Sequence, residues 1–219
     1  MVDVAETELG LAARVRSLTR ADHEAAETTT FVTDLMAGRL DIAAYARLAS
    51  QHHFIYETLE RAAEALRTDP VAGEFVGFGL DRLPALRADL LHLLGPRWRT
   101  EITPLPATRA YLTRLRAVAF TDAPSFVAHH YTRYLGDLSG GQMVKRALRR
   151  EYGVTAEATR FYEFPGVAAG AVKRRYRELL DGAPWSPPEQ DRFIDEVRRA
   201  FTHNRAVFED LSSATATAA

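Results

Sequence analysis

Between residues 11 and 211 apolar side chains recur at helical spacing, and no run alternates apolar and polar residues between turn signals. A sheet is therefore excluded, and the chain must bury itself as packed helices. Leu11, Val15, Leu18 and Ala25 share one side of a first helix. Phe31 to Ala37 forms a short second segment that stops at Gly38, and Asp41 caps a long helix reaching about Arg67. Thr68-Asp69-Pro70 starts another short helix; Pro84 opens one that Gly95-Pro96 stops; Pro104 or Pro106 precedes a helix to about Phe120. Asp122 and Pro124 start the next, which continues to Tyr152 and ends at Gly153. Beyond Pro165-Gly166 lies a basic helix around Val172 to Leu180. The last helix follows Ser186-Pro187-Pro188 and ends near Leu211, with Phe193, Val197, Phe201 and Phe208 as its apolar stripe.

Linkers are short and no repeat of fixed period is present. The expectation is one all-α domain of about eight or nine helices over residues 1–212, followed by a disordered polar tail, 213–219. With no cysteine in 219 residues, disulfides, thiolate metal centres and a cysteine nucleophile are excluded. The 28 basic and 29 acidic side chains are well mixed, which argues against a nucleic-acid partner. No window approaches the 18 or so apolar residues of a membrane span, and the N-terminus carries acids where a leader peptide needs basic residues. The reading is a cytoplasmic protein without a membrane partner, and a monomer, since no coiled-coil seam is visible.

One stretch breaks the helical rules. Gly136, Gly140 and Gly141 lie inside an otherwise good helix pattern, where each costs about 1 kcal/mol relative to alanine. On a straight wheel Gly136 and Gly140 fall about 40° apart. Bare backbone there admits either a neighbouring helix or a flat ligand. Gly140-Gly141 also invites a kink. Asp137 and Arg133 beside the bare backbone favour a ligand cavity.

The run Tyr131-Thr-Arg-Tyr-Leu-Gly-Asp-Leu-Ser-Gly-Gly-Gln142 resembles the distal-helix motif of haem oxygenases. The likeness continues in Leu18 to Glu27 (the proximal helix), His53 to Glu60, Lys173 to Arg177 and Phe201-x-x-Asn204-x-x-x-Phe208, so it spans about residues 10 to 211. It implies an all-α, multi-helix bundle holding b-type haem, as substrate and cofactor, between a proximal helix and a kinked distal one. His23 matches the iron ligand, although its position away from the apolar side would not single it out. Glu27, at i+4, is placed to accept the other ring N–H. Arg16, Lys173, Arg177 and Tyr131 match propionate contacts; the family more often has Lys where Arg16 stands. A straight wheel sets Tyr131 about 140° from Gly136, so its assignment requires a bend. Gly136, Gly140 and Gly141 match the flexible distal wall. Asp137 matches the carboxylate that organises distal water, with Tyr56, Arg133 and Asn204 in support.

The implied reaction takes haem, dioxygen and reductant to biliverdin, carbon monoxide and ferrous iron, with attack at the α-meso carbon. Without a dinucleotide-binding glycine fingerprint the chain needs a separate electron donor, a ferredoxin or a reductase. Two other classes are weighed against this. A haem carrier on the same fold has no use for Asp137 beside an intact glycine motif. A di-iron carboxylate protein needs paired Glu-x-x-His motifs, and the chain offers only Asp89-x-x-His92. Of the remaining histidines, His52, His53, His92, His129, His130 and His203, His129 is the principal rival metal ligand because it falls near Gly136 on the wheel.

Overall fold

The computed structural model describes residues 9–216, and no strand occurs among them. The expected first helix is two, α1 (Leu11–Leu18) and α2 (Arg20–Glu27). Thr19 divides them. It is buried, and its hydroxyl donates to the Val15 carbonyl at 2.7 Å, a back-bond that bends helices. α3 (Thr30–Met36) ends before Gly38, whose φ of +70° suits glycine. α4 (Ile42–Ala65) is capped by the Asp41 carboxylate, which accepts from the Ala44 N–H at 2.7 Å. Next come α5 (Ala72–Val76), α6 (Leu83–Leu94), α7 (Trp98–Glu101), α8 (Pro106–Val118) and α9 (Ala123–His130). After the irregular turn that follows α9 lie α10 (Gly136–Tyr152), two 3-10 turns, α11 (Ala169–Asp181) and α12 (Pro187–Ala216).

Two departures from the sequence reading bear on the site. The kink is not at Gly140-Gly141, which sit inside the regular α10. It lies upstream, where Tyr131–Leu135 forms a π-helical turn between α9 and α10. A π turn inserts one residue into the ladder and so needs no glycine. The last helix also runs past Leu211 to Ala216, through alanines and through Ser213, whose hydroxyl bonds back to the Glu209 carbonyl. Residues 213–216 of the expected tail are thus helical, and 217–219 lie outside the described residues.

α12 is the spine: α9, α8, α2 and α3 all pack on it, while α4 packs on α6, α8 and α9. Phe193 and Val197 are fully buried, and Phe208 stacks on Phe31 of α3 at 6.3 Å. α12 also buries a charge. Glu196, 1% exposed, accepts from the Arg114 guanidinium and from His129 Nε2 at 2.9 Å. Burial alone would raise its pKa, but the bonds from Arg114 and His129 outweigh it and hold Glu196 down to about 2. A depressed carboxylate stabilises the fold above its ordinary pKa, near 4.5, and loses that contribution as pH falls toward 2. Glu196→Gln is therefore expected to cost about 2–3 kcal/mol in urea unfolding at pH 7. The gap to the parent should narrow steadily below pH 4.5.

Candidate functional site

The site gathers on the π turn and on the first turn of α10. Asp137 is half-buried with its carboxyl turned inward, where it accepts a hydrogen bond from the Tyr56 hydroxyl of α4. Burial raises the Asp137 pKa well above the usual carboxylate range, and no cation offsets that effect. The group therefore holds a proton readily and can release it. Tyr56 itself is fully buried, edge-on to Tyr134 at 5.2 Å and to Phe161 at 5.4 Å.

Arg133, within the π turn, lies 5.0 Å above the Tyr56 ring and is 6% exposed. Its Nη1 donates to Asn204 Oδ1 on α12 at 2.9 Å. Its Nε and Nη2 have no protein partner. Burial lowers its pKa. Buried N–H groups of this kind are satisfied by ordered water, so the space around Arg133, Tyr56 and Asp137 is built for water.

The glycines divide into two roles. A Cβ added at Gly136 or Gly140 would meet nothing within 4 Å, so this side of α10 is open. A Cβ at Gly141 would lie 2.7 Å from Tyr162 Cδ1. Gly141 thus packs closely on Tyr162, unlike Gly136 and Gly140. Its neighbour Gln142 donates to the Tyr162 carbonyl at 2.6 Å, pinning the same turn. Opposite effects on stability are expected. Gly140→Ala should raise the melting temperature, since helix propensity favours alanine by about 1 kcal/mol. Gly141→Ala should lower it, because overpacking costs about 1–3 kcal/mol. Thermal unfolding of the two ligand-free variants checks both.

On the other side, His23 of α2 stands half-exposed, its ring edge-on to Phe201 of α12 at 5.4 Å. Its Nδ1 is 3.4 Å from Glu27 Oε2, which leaves Nε2 to bind a metal. Phe201 and Asn204 are one turn apart on α12, so a single helix fixes His23 relative to Arg133.

The π turn also changes where Tyr131 lies relative to Gly136. One inserted residue removes roughly 100° of rotation, so about 140° from Gly136 becomes roughly 40°. Burial raises the Tyr131 pKa, while the charges of Arg16 on α1 and Arg177 on α11 act in the opposite direction. Lys173 lies one turn before Arg177 on α11. Arg16, Lys173 and Arg177 have no carboxylate partner among the described residues, unlike Arg114 or Arg39. Cations left in this state at one edge suit a ligand carrying carboxylates.

Of the remaining histidines, His129 and His130 are held by hydrogen bonds, whereas neither ring nitrogen of the buried His53 has a hydrogen-bond partner. His129 is closed to metals: its Nε2 faces Glu196 and its Nδ1 faces the Tyr111 hydroxyl at 3.1 Å. His130 Nδ1 meets the Tyr176 hydroxyl at 3.0 Å, and burial pushes its pKa down to about 3. His203 stacks on Tyr111, His52 and His53 are buried, and His92 is exposed. Asp89 accepts from the N–H groups of Phe161 and Arg160 at 2.8 and 3.0 Å, and burial raises its pKa to about 6. It thereby holds the Phe161–Tyr162 turn against Tyr56 and Gly141. Sequence reasoning missed this support; the signal was a single acid among the leucines of α6. Among the described residues no three His, Asp or Glu are grouped to hold a metal ion, and no helix is long and apolar enough to cross a membrane.

Comparison with known proteins points to one family. A family described as Heme oxygenase matches residues 9–210. The chain is 33% identical over 203 residues to heme oxygenase 1 of Nostoc sp., covering 92% of this chain and 85% of that protein. The crystal structure of heme oxygenase-1 from Synechocystis sp. in complex with heme superposes with a TM-score of 0.90 at 32% identity, covering 96% of each chain. The heme oxygenase structure from Leptospira interrogans does so with a TM-score of 0.86, also at 32% identity, over 91% of this chain and 98% of that one.

Proposed function

This chain belongs to the haem oxygenase family, and we propose that its own residues divide the work as follows. The family reaction opens haem with dioxygen and reducing equivalents to biliverdin, carbon monoxide and ferrous iron. The residues present fit haem: an open backbone face at Gly136 and Gly140, a half-exposed imidazole, and Arg16, Lys173 and Arg177, which have no carboxylate partner among the described residues. Haem supplies, when bound, the iron at which dioxygen is activated and the ring carbon that is oxidised.

His23 Nε2 binds the iron in its neutral form, and Glu27 fixes the tautomer from Nδ1. Arg16, Lys173, Arg177 and Tyr131 hold the two propionates and so set the rotation of the ring, which selects the α-meso carbon. Gly136 and Gly140 let the α10 backbone approach the ring face. Asp137 holds a proton and passes it through water kept in place by Tyr56, Arg133 and Asn204. Electrons come from a separate donor, a ferredoxin or reductase, and the protein works as a cytoplasmic monomer.

The buried Asp137 carboxyl, bonded to Tyr56 beside an open glycine face, carries this reading. Purified protein with one equivalent of hemin, given reductant in air, is expected to lose its Soret band as biliverdin absorption and carbon monoxide appear. Stoichiometric hemin binding without biliverdin under these conditions would make the chain a haem carrier and overturn the catalytic assignment.

A further inference from the structure

Met143 is the most exposed large apolar side chain among the described residues, at 58%. A single exposed apolar residue needs no explanation, but this one has a position that asks for one. α10 is a regular helix, so Met143 lies about 20° from Gly136 and about 60° from Gly140, one turn beyond the latter. It therefore stands on the open side of α10, where a Cβ at either glycine would meet nothing. One turn further, Ala147 is 2% exposed, and α3 packs on α10. The open face thus begins at bare backbone and ends at an unbranched, flexible thioether that the described residues leave more than half exposed. Methionine adapts its shape to flat aromatic surfaces and gains sulfur–aromatic contact there.

We propose that Met143 is a further haem-contacting residue, its side chain laid on the porphyrin where the glycine wall ends. The inference rests on the haem-binding reading above. It accounts for an apolar side chain standing exposed on this face: haem covers it. The wall then has two textures. Gly136 and Gly140 leave the ring uncovered for water and dioxygen, and Met143 seals the part where neither is needed.

Protein labelled with 13C at the methionine methyl groups tests this with zinc protoporphyrin IX, which does not turn over. The Met143 resonance, assigned by its loss in Met143→Leu, should move upfield in the complex through the porphyrin ring current. Hemin titration followed at the Soret band should show Met143→Leu within about twofold of the parent Kd. Met143→Asp should bind about tenfold more weakly, since burying half a methionine side chain supplies roughly that factor. An unmoved Met143 methyl together with parent-like hemin affinity in Met143→Asp overturns the proposal while leaving the haem-binding reading intact. Failure of the parent to bind hemin overturns both, and the Soret titration tells the two failures apart.

Discussion

In Asp137→Ala, hemin binding should stay within about threefold of the parent while biliverdin formation falls by about 10²–10⁴-fold, the usual contribution of a positioned proton donor. The carboxyl makes no contact that holds the ring. In the proposed division of roles, His23 binds the iron, and Arg16, Lys173, Arg177 and Tyr131 hold the propionates. What the substitution removes is a buried group whose environment favours its protonated form. Tyr56 then loses its acceptor. Asp137→Asn keeps the shape but cannot cycle a proton, so it should fail nearly as badly. Single-turnover assays of biliverdin per haem, run beside Soret titrations, separate the two quantities. Biliverdin formation at the parent rate in either variant would remove Asp137 from the mechanism.

His23→Ala should remove both the histidine-ligated absorption spectrum and turnover, the latter by at least about 100-fold, since even supporting residues of metal ligands are worth 10–100-fold. The structure adds a specific expectation. His23 is half-exposed and packs on Phe201 by one ring edge, so its loss leaves an opening to solvent. Millimolar imidazole should enter it and restore the spectrum and part of the activity. Glu27→Ala should have a smaller effect, about tenfold on turnover, because it orients the ligand without replacing it. A His23→Ala spectrum unchanged from the parent would point to another ligand. His129 is a poor alternative, since both of its ring nitrogens are engaged.

Much of the fold was legible because its stops and starts are chemical. Asp41 and Asp122 cap where carboxylates ahead of apolar runs predict caps. Gly38 and Gly153 end helices with positive φ, as their positions imply. Thr19 was not legible, since a threonine in mid-helix bends the chain only if its hydroxyl turns back to a carbonyl, and the pattern does not record that. The π turn at Tyr131–Leu135 escaped for a related reason: its five residues suit an ordinary helix, and packing selects the wider turn. The same limit applied within the site. Asp137 and Gly136 stand out in the sequence as a charge and a gap in a helix. That Gly141 serves Tyr162 while Gly140 serves the open face depends on which neighbour lies across each, and they are adjacent in sequence. His23 stood out only through the family resemblance; Glu27 at i+4 is visible in the sequence, but its contact with Phe201 appears only once α12 lies beside α2.

The π turn makes chain length, more than residue identity, the quantity that aims the carboxylate. α9 and α10 are continuous in the ladder, and the turn absorbs the one extra residue between them. Inserting one further residue between Thr132 and Leu135 without a second such turn to absorb it would rotate α10 by roughly 100° relative to α9. Asp137 would swing away from Tyr56 with every side chain of the site still present in the sequence. Substitutions there are tolerated or not by their size, but a frame of one residue is a gear tooth, and the site works at one setting of it.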